Sequence, residues 1–591
     1  MTPLIEALRD SAGPAVEDFY GKLSLLPKSR VILGMLDPGE LQHLKSRQVQ
    51  NLLSMADPSL QDEDHAATAL RVGRIHAIVG LDKEELAQSR SILSAAVYQR
   101  IAQNVSNQDL SLLNQRLQND LTWQLKAYQA IEDAQKTALL ELMRVIWESA
   151  NYTDLIHQVV HILSQHDEVA GCAIGRPDEH NVFHFEVASG NIQDYLDDRQ
   201  GAPETQIMVN ADDPRGQGPV GRAWRSGHIE RMINFKTQQH ASVWREQSLK
   251  LGLRSCAAVP LYAPGRATVA ILLLHSALPG GFIGPHQASF LDMLQTLLGC
   301  ALERLGAKDG MRETIPIKNR QHLAALVRSD SLINYYQPLL DTHTGKVRKV
   351  EALARLIDGR RLLLPEHFLP ALVLDDLLEI YVRGLEYALR DKAGWTGSGI
   401  ELDLSINLPP AGLSDIRYYE ATEAALARHH CPPGQLTLEI LENETVSLSH
   451  GQPAILTRFK DLGVKLAQDD LGSGHSGLTR LRQLPFDWIK LDRDMVHIKD
   501  DDNALEVLRF LHQLVRLGHA MGKQVVAEGI ETAELAEALG MLGVDLIQGY
   551  AVAKPMAAGR IAEWARAYSF QPGKSGHAAL PALARQLVEE T

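Results

Sequence analysis

Short apolar segments alternate with helical stretches over residues 318–570, and this alternation limits the possible folds more than any other feature of the chain. Each segment has the length and the aliphatic composition of a buried strand. In chain order the segments are INYYQPLL, KVEALARL, LDLSINL, LTLEIL, VKLAQDD, WIKLD, KQVVAEGI and DLIQGY. Strands that alternate with helices in this way are typical of a parallel (β/α)8 barrel, whose active site gathers at the C-terminal ends of the strands.

Polar residues lie in or directly after these segments: Glu351, Asn407, Glu439, Asp469, Asp470, Lys490, Glu528 and Gln548. Because the strand ends of a barrel converge, we expect these side chains to share one pocket. Carboxylate and amide oxygens suit Mg2+ or Mn2+, and so much negative charge in a pocket requires cations. Two such ions would activate a water for an in-line phosphoryl displacement. We expect Lys490 to orient that water and Arg355 to hold a phosphate.

The order of the motifs YYQP, EALAR, INLPP, LEILE, DDLGSG, IKLD, AEGIE and QGY resembles that of the EAL-domain cyclic di-GMP phosphodiesterases. The resemblance implies a TIM-like EAL barrel over residues 318–570 that hydrolyses cyclic di-GMP to linear pGpG with two Mg2+ or Mn2+ ions. It implies metal ligands at Glu351, Asn407, Glu439, Asp469 and Glu528. It implies catalytic roles for Lys490, for Asp470 and for Glu442, which steadies the DD-containing loop in the family. Positions lining the substrate and metal pocket match Gln337, Arg355 and Gln548.

Three positions depart from the family pattern. Leu-Pro-Pro follows Asn407 where Leu-Ser is usual, Leu471 stands where Phe is common, and His475 replaces a frequent Tyr. None of these is a metal ligand, although the last two lie on the loop that couples activity to dimerisation in the family. A catalytically degenerate cyclic di-GMP receptor and a gas-sensing scaffold are the alternatives, and the full acid set with Lys490 favours the enzyme. No GGDEF-like motif occurs, so we expect no cyclase activity.

Residues 1–140 are predicted to be helical, because apolar residues recur at spacings of three and four. With DFYGKL near its start and GRIHAIVGL further on, this segment resembles the globin domain of globin-coupled sensors. The resemblance implies haem b with His76 as the proximal ligand and Tyr20 on the distal side, where a phenol stabilises O2 or another diatomic gas. A haem-free helical sensor is the alternative. His43 and His65 are further candidates, although QDEDHAA around His65 is typical of a solvated turn.

Residues 141–310 contain strand-like runs separated by Gly, Pro and Asp turns, which predicts an α+β domain. The segments GQGPVGRAWRSGHIERMIN and LGLRSCAAVPLY resemble those of GAF domains. GAF domains bind cyclic nucleotides, chromophores or no ligand, and we favour a relay domain without ligand. Cys172 and Cys256 are expected to be buried strand residues. The stretch 120–150 lacks Gly and Pro and predicts a helix that connects domains and pairs with a second chain in a homodimer.

The formal net charge is −14, from 59 basic and 73 acidic residues, which disfavours nucleic-acid polymers and anionic membranes as partners. The N-terminus lacks a signal sequence, and no window approaches the length of a membrane span. The four cysteines have no metal-type spacing and are typical of free thiols in a reducing compartment. We therefore expect a multidomain cytoplasmic protein.

Overall fold

The computed structural model divides the chain into two compact units, residues 1–320 and 321–591. It describes residues 3–149, 151–192, 206–238, 244–309, 314–441, 452–471, 481, 484–498, 503–570 and 579–590. Within these ranges no helix combines the length and the apolar character that a membrane crossing requires. All four cysteines are free thiols, as predicted.

The N-terminal part of the first unit is helical, as the sequence predicts. Its helices are α1 (Pro3–Leu23), α2 (Pro27–Met35), α3 (Pro38–Met55), α4 (Asp62–Ile78), α5 (Lys83–Ile101) and α6 (Asn107–Glu148). Asp37 caps α3 by accepting a hydrogen bond from the Glu40 amide, and Asp82 caps α5 in the same way through the Glu85 amide. Apolar residues of α1, α3, α5 and the start of α6 form one core, which contains Tyr20.

Helix α6 is longer than the helix predicted over residues 120–150. It begins after Ser106, whose side chain accepts a hydrogen bond from the Asp109 amide, and it continues for 42 residues. Its N-terminal half packs into the helical core, whereas its C-terminal half places Leu142 in the core of the next domain. The boundary predicted after residue 140 therefore lies inside one continuous helix.

The second part of the first unit is an α+β domain with a six-stranded antiparallel sheet, in the order β3-β2-β1-β6-β5-β4. The strands are β1 (Gly171–Pro177), β2 (Val182–Gly190), β3 (Ile207–Met208), β4 (Glu230–Met232), β5 (Ser255–Leu261) and β6 (Ala270–Ser276). The helices are α7 (Tyr152–Ser164), α8 (Pro219–Ser226), α9 (Arg245–Lys250) and α10 (Pro285–Asp309). Alternate residues of the central strands enter two separate cores, and Cys172 and Cys256 are buried in β1 and β5, as predicted.

A buried ion cluster holds the chain segment that leaves this domain. Glu186 on β2 is fully buried, and its carboxylate accepts hydrogen bonds from Arg176 Nε at 2.7 Å and from Arg320 Nη2 at 3.2 Å. It also accepts hydrogen bonds from the Tyr152 hydroxyl at 2.5 Å and from the Ile315 backbone amide at 3.2 Å. Two cations and two neutral donors together compensate the desolvation of this carboxylate. The departing segment is thereby fixed to the sheet.

The second unit is a closed barrel, because β7 pairs with both β8 and β15. The barrel strands are β7 (Leu332–Asp341), β8 (Val347–Asp358), β10 (Asp403–Asn407), β11 (Leu436–Leu441), β12 (Lys465–Leu471), β13 (Trp488–Leu491), β14 (Gln524–Ala527) and β15 (Leu546–Gln548). Two short strands extend the sheet outside the barrel, β9 (Arg361–Leu363) and β16 (Met556–Ala557). All eight segments that the sequence predicts as strands within residues 318–570 are barrel strands.

Helices surround the barrel and bury its outer face in one large apolar core. They are α11 (Ile317–Val327), which begins before the second unit, α12 (Pro365–Phe368), α13 (Leu374–Gly397), α14 (Ile416–Arg428), α15 (Gln452–Leu462), α16 (Arg493–Val496), α17 (Ala504–Ala520), α18 (Ala533–Met541), α19 (Ala558–Ala567) and α20 (Ala579–Glu589).

The first barrel strand corrects one part of the prediction. The sequence predicts an all-parallel barrel, whereas β7 runs antiparallel to both of its neighbours. Five residues, 342–346, connect β7 to β8, and a parallel connection needs a crossover of about a dozen residues or more. Asp341 stabilises this hairpin by accepting hydrogen bonds from the amides of His343 and Thr344. The neighbouring pairs from β8 to β15 are parallel.

A layer of packed side chains fills the barrel interior: Leu339, Ala467, Trp488, Val526 and Leu546. Each of them lies two positions from a predicted site residue, and residues two apart on a strand face the same side. Lys349 also lies here, with its ammonium 4.1 Å from the centre of the Trp488 ring and 2.8 Å from the Thr437 hydroxyl. Burial lowers the pKa of Lys349 to about 7. This layer forms a floor for the polar residues at the strand ends.

Candidate active site

The strand register brings the first predicted ligands together. Ser405 on β10 is opposite Glu351 on β8, and Asn407, two positions further on, is opposite Glu439 on β11. Because side chains alternate along a strand, Ser405 and Asn407 face the same side of the sheet. Parallel pairing therefore places the two glutamates and the asparagine at one edge of the barrel.

The ammonium group of Lys490 on β13 lies at the centre of the site. Its Nζ is 2.6 Å from Glu439 Oε2, 2.9 Å from Asp469 Oδ1 and 2.6 Å from Glu528 Oε1. Lys490 and Glu439 are each 2% exposed, so these ion pairs are shielded from water. Residues from β11 and β12, and the residue that follows β14, thus meet at one ammonium group.

Two amide side chains hold the carboxylate of Glu351. Asn407 Nδ2 donates a hydrogen bond to one oxygen at 2.9 Å, and Gln548 Nε2 donates to the other at 2.6 Å. Gln548 Nε2 also lies 3.2 Å from Gln337 Oε1, and Gln337 donates to the backbone carbonyl of Ala553 at 3.1 Å. Gln337, Gln548 and Glu351 are thus neighbours in the structure, and the substrate contacts expected of Gln337 and Gln548 stay predictions.

Ser405 is a site residue that the sequence analysis missed. Its side chain is fully buried, and its hydroxyl donates a hydrogen bond to Glu439 Oε1 while Lys490 binds Glu439 Oε2. Both oxygens of this carboxylate are therefore held. The alternation along LSIN could have revealed Ser405, because it lies two residues before Asn407.

Arg355 lies further along β8 on the face of Glu351, where the sequence analysis expects a phosphate contact. It is buried, its Nη1 donates to the backbone carbonyl of Ala354 at 2.8 Å, and its guanidinium is 5.9 Å from the centre of the Tyr335 ring. It forms no ion pair with a carboxylate in the described part of the chain. Burial lowers the pKa of Arg355, and the negative charge of Glu351 partly offsets this effect.

Other predicted residues fall partly or wholly outside the described residues. Asp470 is described only in its backbone, as part of β12, and Glu442 and His475 lie outside the described residues. Leu471, where the family often has Phe, is buried in the outer core of the barrel. The roles expected for Asp470 and Glu442 stay predictions.

The site contains more negative than positive charge. Burial, together with the neighbouring charge of Glu351, raises the pKa of Glu439, and burial raises the pKa of Glu528 well above its usual value. Burial opposes the charged form of Lys490, but the surrounding carboxylates outweigh it and raise the pKa of Lys490 well above its usual value. One ammonium thus faces the carboxylates of Glu351, Glu439, Asp469 and Glu528.

The donor chemistry of the site fits Mg2+ or Mn2+. Carboxylate and amide oxygens are the ligands these ions prefer, and a divalent cation would offset the excess negative charge. Gln548 Oε1 is buried and has no hydrogen-bond partner among the described residues. In the described part of the chain no three His, Cys, Asp or Glu side chains are already spaced to hold one ion, because the carboxylates converge on Lys490 instead.

His76 lies in the last turn of α4, where its ring contacts helix α6. Its Nδ1 is 3.0 Å from Gln124 Oε1, and Nε2 has no hydrogen-bond partner among the described residues. The ring is partly accessible, and burial lowers the pKa of His76 below its usual value. A neutral imidazole with an unused nitrogen is suited to bind a metal.

Tyr20 is buried in α1 within the helical core. Burial raises its pKa, so the phenol is neutral, and its hydroxyl makes no hydrogen bond to any described residue. A neutral phenol without a partner fits the distal role expected of it. The haem roles expected of Tyr20 and His76 stay predictions.

The two other candidate histidines differ from each other. His43 is exposed on α3. His65 corrects the prediction of a solvated turn, because it is buried in α4 with Nε2 3.5 Å from Asp120 Oδ1. The acidic residues of QDEDHAA lie in the first turn of this helix, where the positive end of the helix dipole stabilises their negative charge.

Two protein families match parts of the chain. The EAL domain matches residues 320–555, and the GAF domain matches residues 149–303. The predicted EAL and GAF domains are thereby confirmed, whereas the globin resemblance stays a prediction.

Curated relatives and solved structures resemble part of the chain. Cyclic di-GMP phosphodiesterase RocR of Pseudomonas aeruginosa is 34% identical over 38% of this chain and 57% of RocR. Cyclic di-GMP phosphodiesterase PdeR of Escherichia coli is 30% identical over 42% of this chain and 37% of PdeR. A solved cyclic di-GMP complex of the phosphodiesterase PaMucR is 29% identical with a TM-score of 0.37, over 41% of this chain and 99% of that one. The chain spans between 31% and 57% of the length of curated relatives it matches.

We predict that Lys490→Met lowers the free energy of unfolding of the barrel by about 3 to 5 kcal/mol, because it leaves buried carboxylates without their cation. Added Mg2+ should restore part of this loss, since a divalent cation can replace the missing charge. The measurement is urea unfolding followed by circular dichroism, with and without Mg2+.

Lys349→Met is the matched control, because Lys349 is also buried in the barrel but donates to a hydroxyl group. The decrease in the free energy of unfolding should be smaller in Lys349→Met than in Lys490→Met, and added Mg2+ should not change it. Equal losses in the two variants, both unaffected by Mg2+, would contradict the assignment of Lys490 as the central cation.

Proposed function

We propose that this chain is a sensor-regulated, cyclic di-GMP-specific phosphodiesterase, a phosphoric diester hydrolase that opens cyclic di-GMP to linear pGpG. The observation that carries the proposal is the buried ammonium of Lys490 among the carboxylates of Glu439, Asp469 and Glu528. Hard oxygen donors around a cationic group suit hydrolysis of a phosphodiester. The EAL match over residues 320–555 and the names of RocR and PdeR support the same substrate.

Two Mg2+ or Mn2+ ions are the proposed cofactors, with ligands Glu351, Asn407, Glu439, Asp469 and Glu528. When bound, such ions activate a water and neutralise the charge that develops on the phosphate. Lys490 is assigned to orient the water, and Asp470 is assigned as the second acid beside it. Ser405 helps by holding Glu439 Oε1, so that this carboxylate cannot turn away from the site. Glu442 steadies the DD-containing loop.

Substrate binding is assigned to Gln337, Arg355 and Gln548. The guanidinium of Arg355 suits a phosphate oxygen, because it carries a permanent charge and has several donors in a fixed plane. The contact of Gln548 with both Glu351 and Gln337 supports a shared role, since it connects the proposed metal ligand to the proposed substrate contact.

A catalytically degenerate receptor that binds cyclic di-GMP and signals to a partner is the alternative. A receptor needs the shape of the pocket but has no use for a water-orienting cation. The hydrogen bonds and ion pairs that hold Glu351, Glu439 and Lys490 favour the enzyme.

We predict that Glu351→Gln lowers the turnover of cyclic di-GMP by about 100-fold or more, because it removes a charged metal ligand and replaces one of the two oxygens that accept amide hydrogen bonds with a donor. The full chain is assayed with Mg2+ or Mn2+, and pGpG is separated by chromatography. Glu366→Gln is the control, because the Glu366 side chain is 73% exposed on α12 and should not affect turnover.

Binding is measured in parallel by calorimetry on the same proteins. If the unmodified chain binds cyclic di-GMP but never releases pGpG, the receptor is correct and the enzyme proposal is wrong.

The helical domain, assigned to residues 1–140, is proposed to hold haem b and to sense O2 or another diatomic gas. His76 is the proximal ligand, and its neutral ring with a free Nε2 supports this role. Tyr20 is the distal residue, and its unpartnered phenol is available to donate to a polar ligand. When bound, haem supplies the iron that binds the gas.

We predict that His76→Ala abolishes the Soret band while the barrel stays folded, because it removes the proximal nitrogen. Tyr20→Phe should keep the haem and raise the O2 dissociation rate by about tenfold, since one hydrogen bond is lost. Absorption spectra and stopped-flow kinetics measure both effects. The exposed His43→Ala is the control, and an unchanged spectrum in His76→Ala would remove His76 as the ligand.

The GAF domain, assigned to residues 141–310, is proposed as a ligand-free relay in a cytoplasmic homodimer that binds neither membranes nor nucleic-acid polymers. Helix α6 supports the dimer, because it exposes large apolar side chains at helical spacing, namely Leu140 at 68%, Met143 at 45% and Trp147 at 76%. Residues three and four apart share one helix face, so these side chains form one apolar stripe. A second copy of α6 would cover it.

We predict that Trp147→Glu converts the dimer to a monomer, because it places a charge in the apolar stripe near the C-terminal end of α6. Size-exclusion chromatography with light scattering measures the mass. Leu25→Glu is the control, since Leu25 is 78% exposed outside this stripe and should leave the mass unchanged. A dimer that survives both substitutions would exclude this surface as the contact.

A further inference from the structure

A chain of polar side chains connects His76 to the interior of the helical domain. His76 Nδ1 lies 3.0 Å from Gln124 Oε1, and Gln124 Nε2 donates to Asp120 Oδ2 at 2.6 Å. Asp120 also accepts a hydrogen bond from Arg90. Asp120 and Gln124 are 1% and 2% exposed, so bulk water does not compete for these contacts.

The close crossing of α4 and α6 fixes the geometry of this chain. A Cβ at Gly73 would lie 2.6 Å from both the Cα and the carbonyl oxygen of Gln124, so only glycine allows the two helices to approach this closely. His76 follows Gly73 by three residues and therefore lies on the same helix face. Its ring is held against Gln124 by the backbone rather than by a flexible loop.

The partners dictate the direction of each hydrogen bond. A carboxylate paired with the Arg90 guanidinium is an acceptor only, so the NH2 group of Gln124 must face Asp120. The oxygen of the same amide then faces His76, and an amide oxygen cannot donate. The proton in this contact must come from Nδ1 of the imidazole. A neutral ring carries one proton, so Nε2 keeps its lone pair.

We infer that Gln124 is a positioning residue that holds His76 in the Nδ1-protonated tautomer and presents Nε2 to a metal. The inference rests on the proposed haem function for its purpose, although the tautomer itself does not depend on haem. A hydrogen bond to the remote nitrogen orients a ligating imidazole and increases its basicity. Asp120 acts one step further away, by fixing the orientation of the Gln124 amide.

The first test measures the tautomer in the haem-free full chain. Histidine is labelled with 15N, long-range 15N–1H correlations report which nitrogen carries the proton, and the spectrum of His76→Ala assigns the signal. We expect the Nδ1-protonated form in the unmodified protein. Gln124→Leu should lose this preference, and Gln124→Met is a second variant of similar volume.

Gln129→Leu is the matched control, because Gln129 is exposed on the same helix and bonds to Asp133. It should leave the tautomer unchanged. Protonation on Nε2 in the unmodified chain, or an unchanged Nδ1-protonated form in both Gln124→Leu and Gln124→Met, would overturn the inference.

The second test adds haem to the same variants. Gln124→Leu should bind haem about 10- to 100-fold more weakly than Gln129→Leu and should lower the iron–histidine stretching frequency in resonance Raman spectra. The two tests distinguish the proposed haem function from the role of Gln124 in setting the tautomer. If no variant binds haem, the haem function is wrong, and the tautomer measurement still decides the role of Gln124. Equal haem affinity and equal stretching frequency in these two variants would overturn the role of Gln124 toward the metal.

Discussion

The ammonium group of Lys490 is the interaction on which the rest of the barrel site depends. It has three protons, and three carboxylates, from Glu439, Asp469 and Glu528, each lie within ion-pair distance of it. A compact point charge with three donors suits this arrangement, whereas the planar guanidinium of arginine would not direct its donors toward three separate strands. The carboxylates can therefore remain together in a buried space, and further cations are needed only for the charge that Lys490 leaves unbalanced.

Buried carboxylates organise the first unit in a related way. Asp120 in the helical domain and Glu186 in the α+β domain are each satisfied by arginine and by neutral donors. A buried carboxylate accepts hydrogen bonds and donates none, so it sets the orientation of every group around it. In the helical domain this orientation passes through the Gln124 amide to His76. A buried carboxylate thus determines local packing in the α+β domain, and in the helical domain it determines which nitrogen of His76 carries the proton.

Much of the barrel could be predicted from the sequence, because its strands are short apolar runs whose site residues repeat with the alternation of the strand. The layer residue Trp488 and the site residue Lys490 are two positions apart for this reason. The predicted parallel direction of β7 is wrong, because apolar patterning is the same for parallel and antiparallel strands. The short connection over residues 342–346 carries that information instead.

The contacts of the helical domain were harder to predict. His65 was assigned to a turn because its neighbours are acidic, although acidic residues are also common in the first turn of a helix. Gln124 had no local signal at all. It lies 48 residues from His76, and its role depends on a helix crossing at Gly73 and on the charge of Asp120. Such a role arises from tertiary contacts and has no sequence motif.

The ion cluster around Glu186 bears on how such modular proteins can exchange their parts in evolution. The connection between α10 and α11, residues 310–316, contains the polar run Arg312, Glu313 and Thr314 and would be the natural place to join one domain to another. However, Arg320 and the Ile315 amide are both partners of the buried carboxylate. A recombination that ends the α+β domain within this polar segment would separate Glu186 from at least one donor and leave part of its charge uncompensated. Functional chimaeras should therefore keep the chain through Arg320, the fourth residue of helix α11, together with the α+β domain.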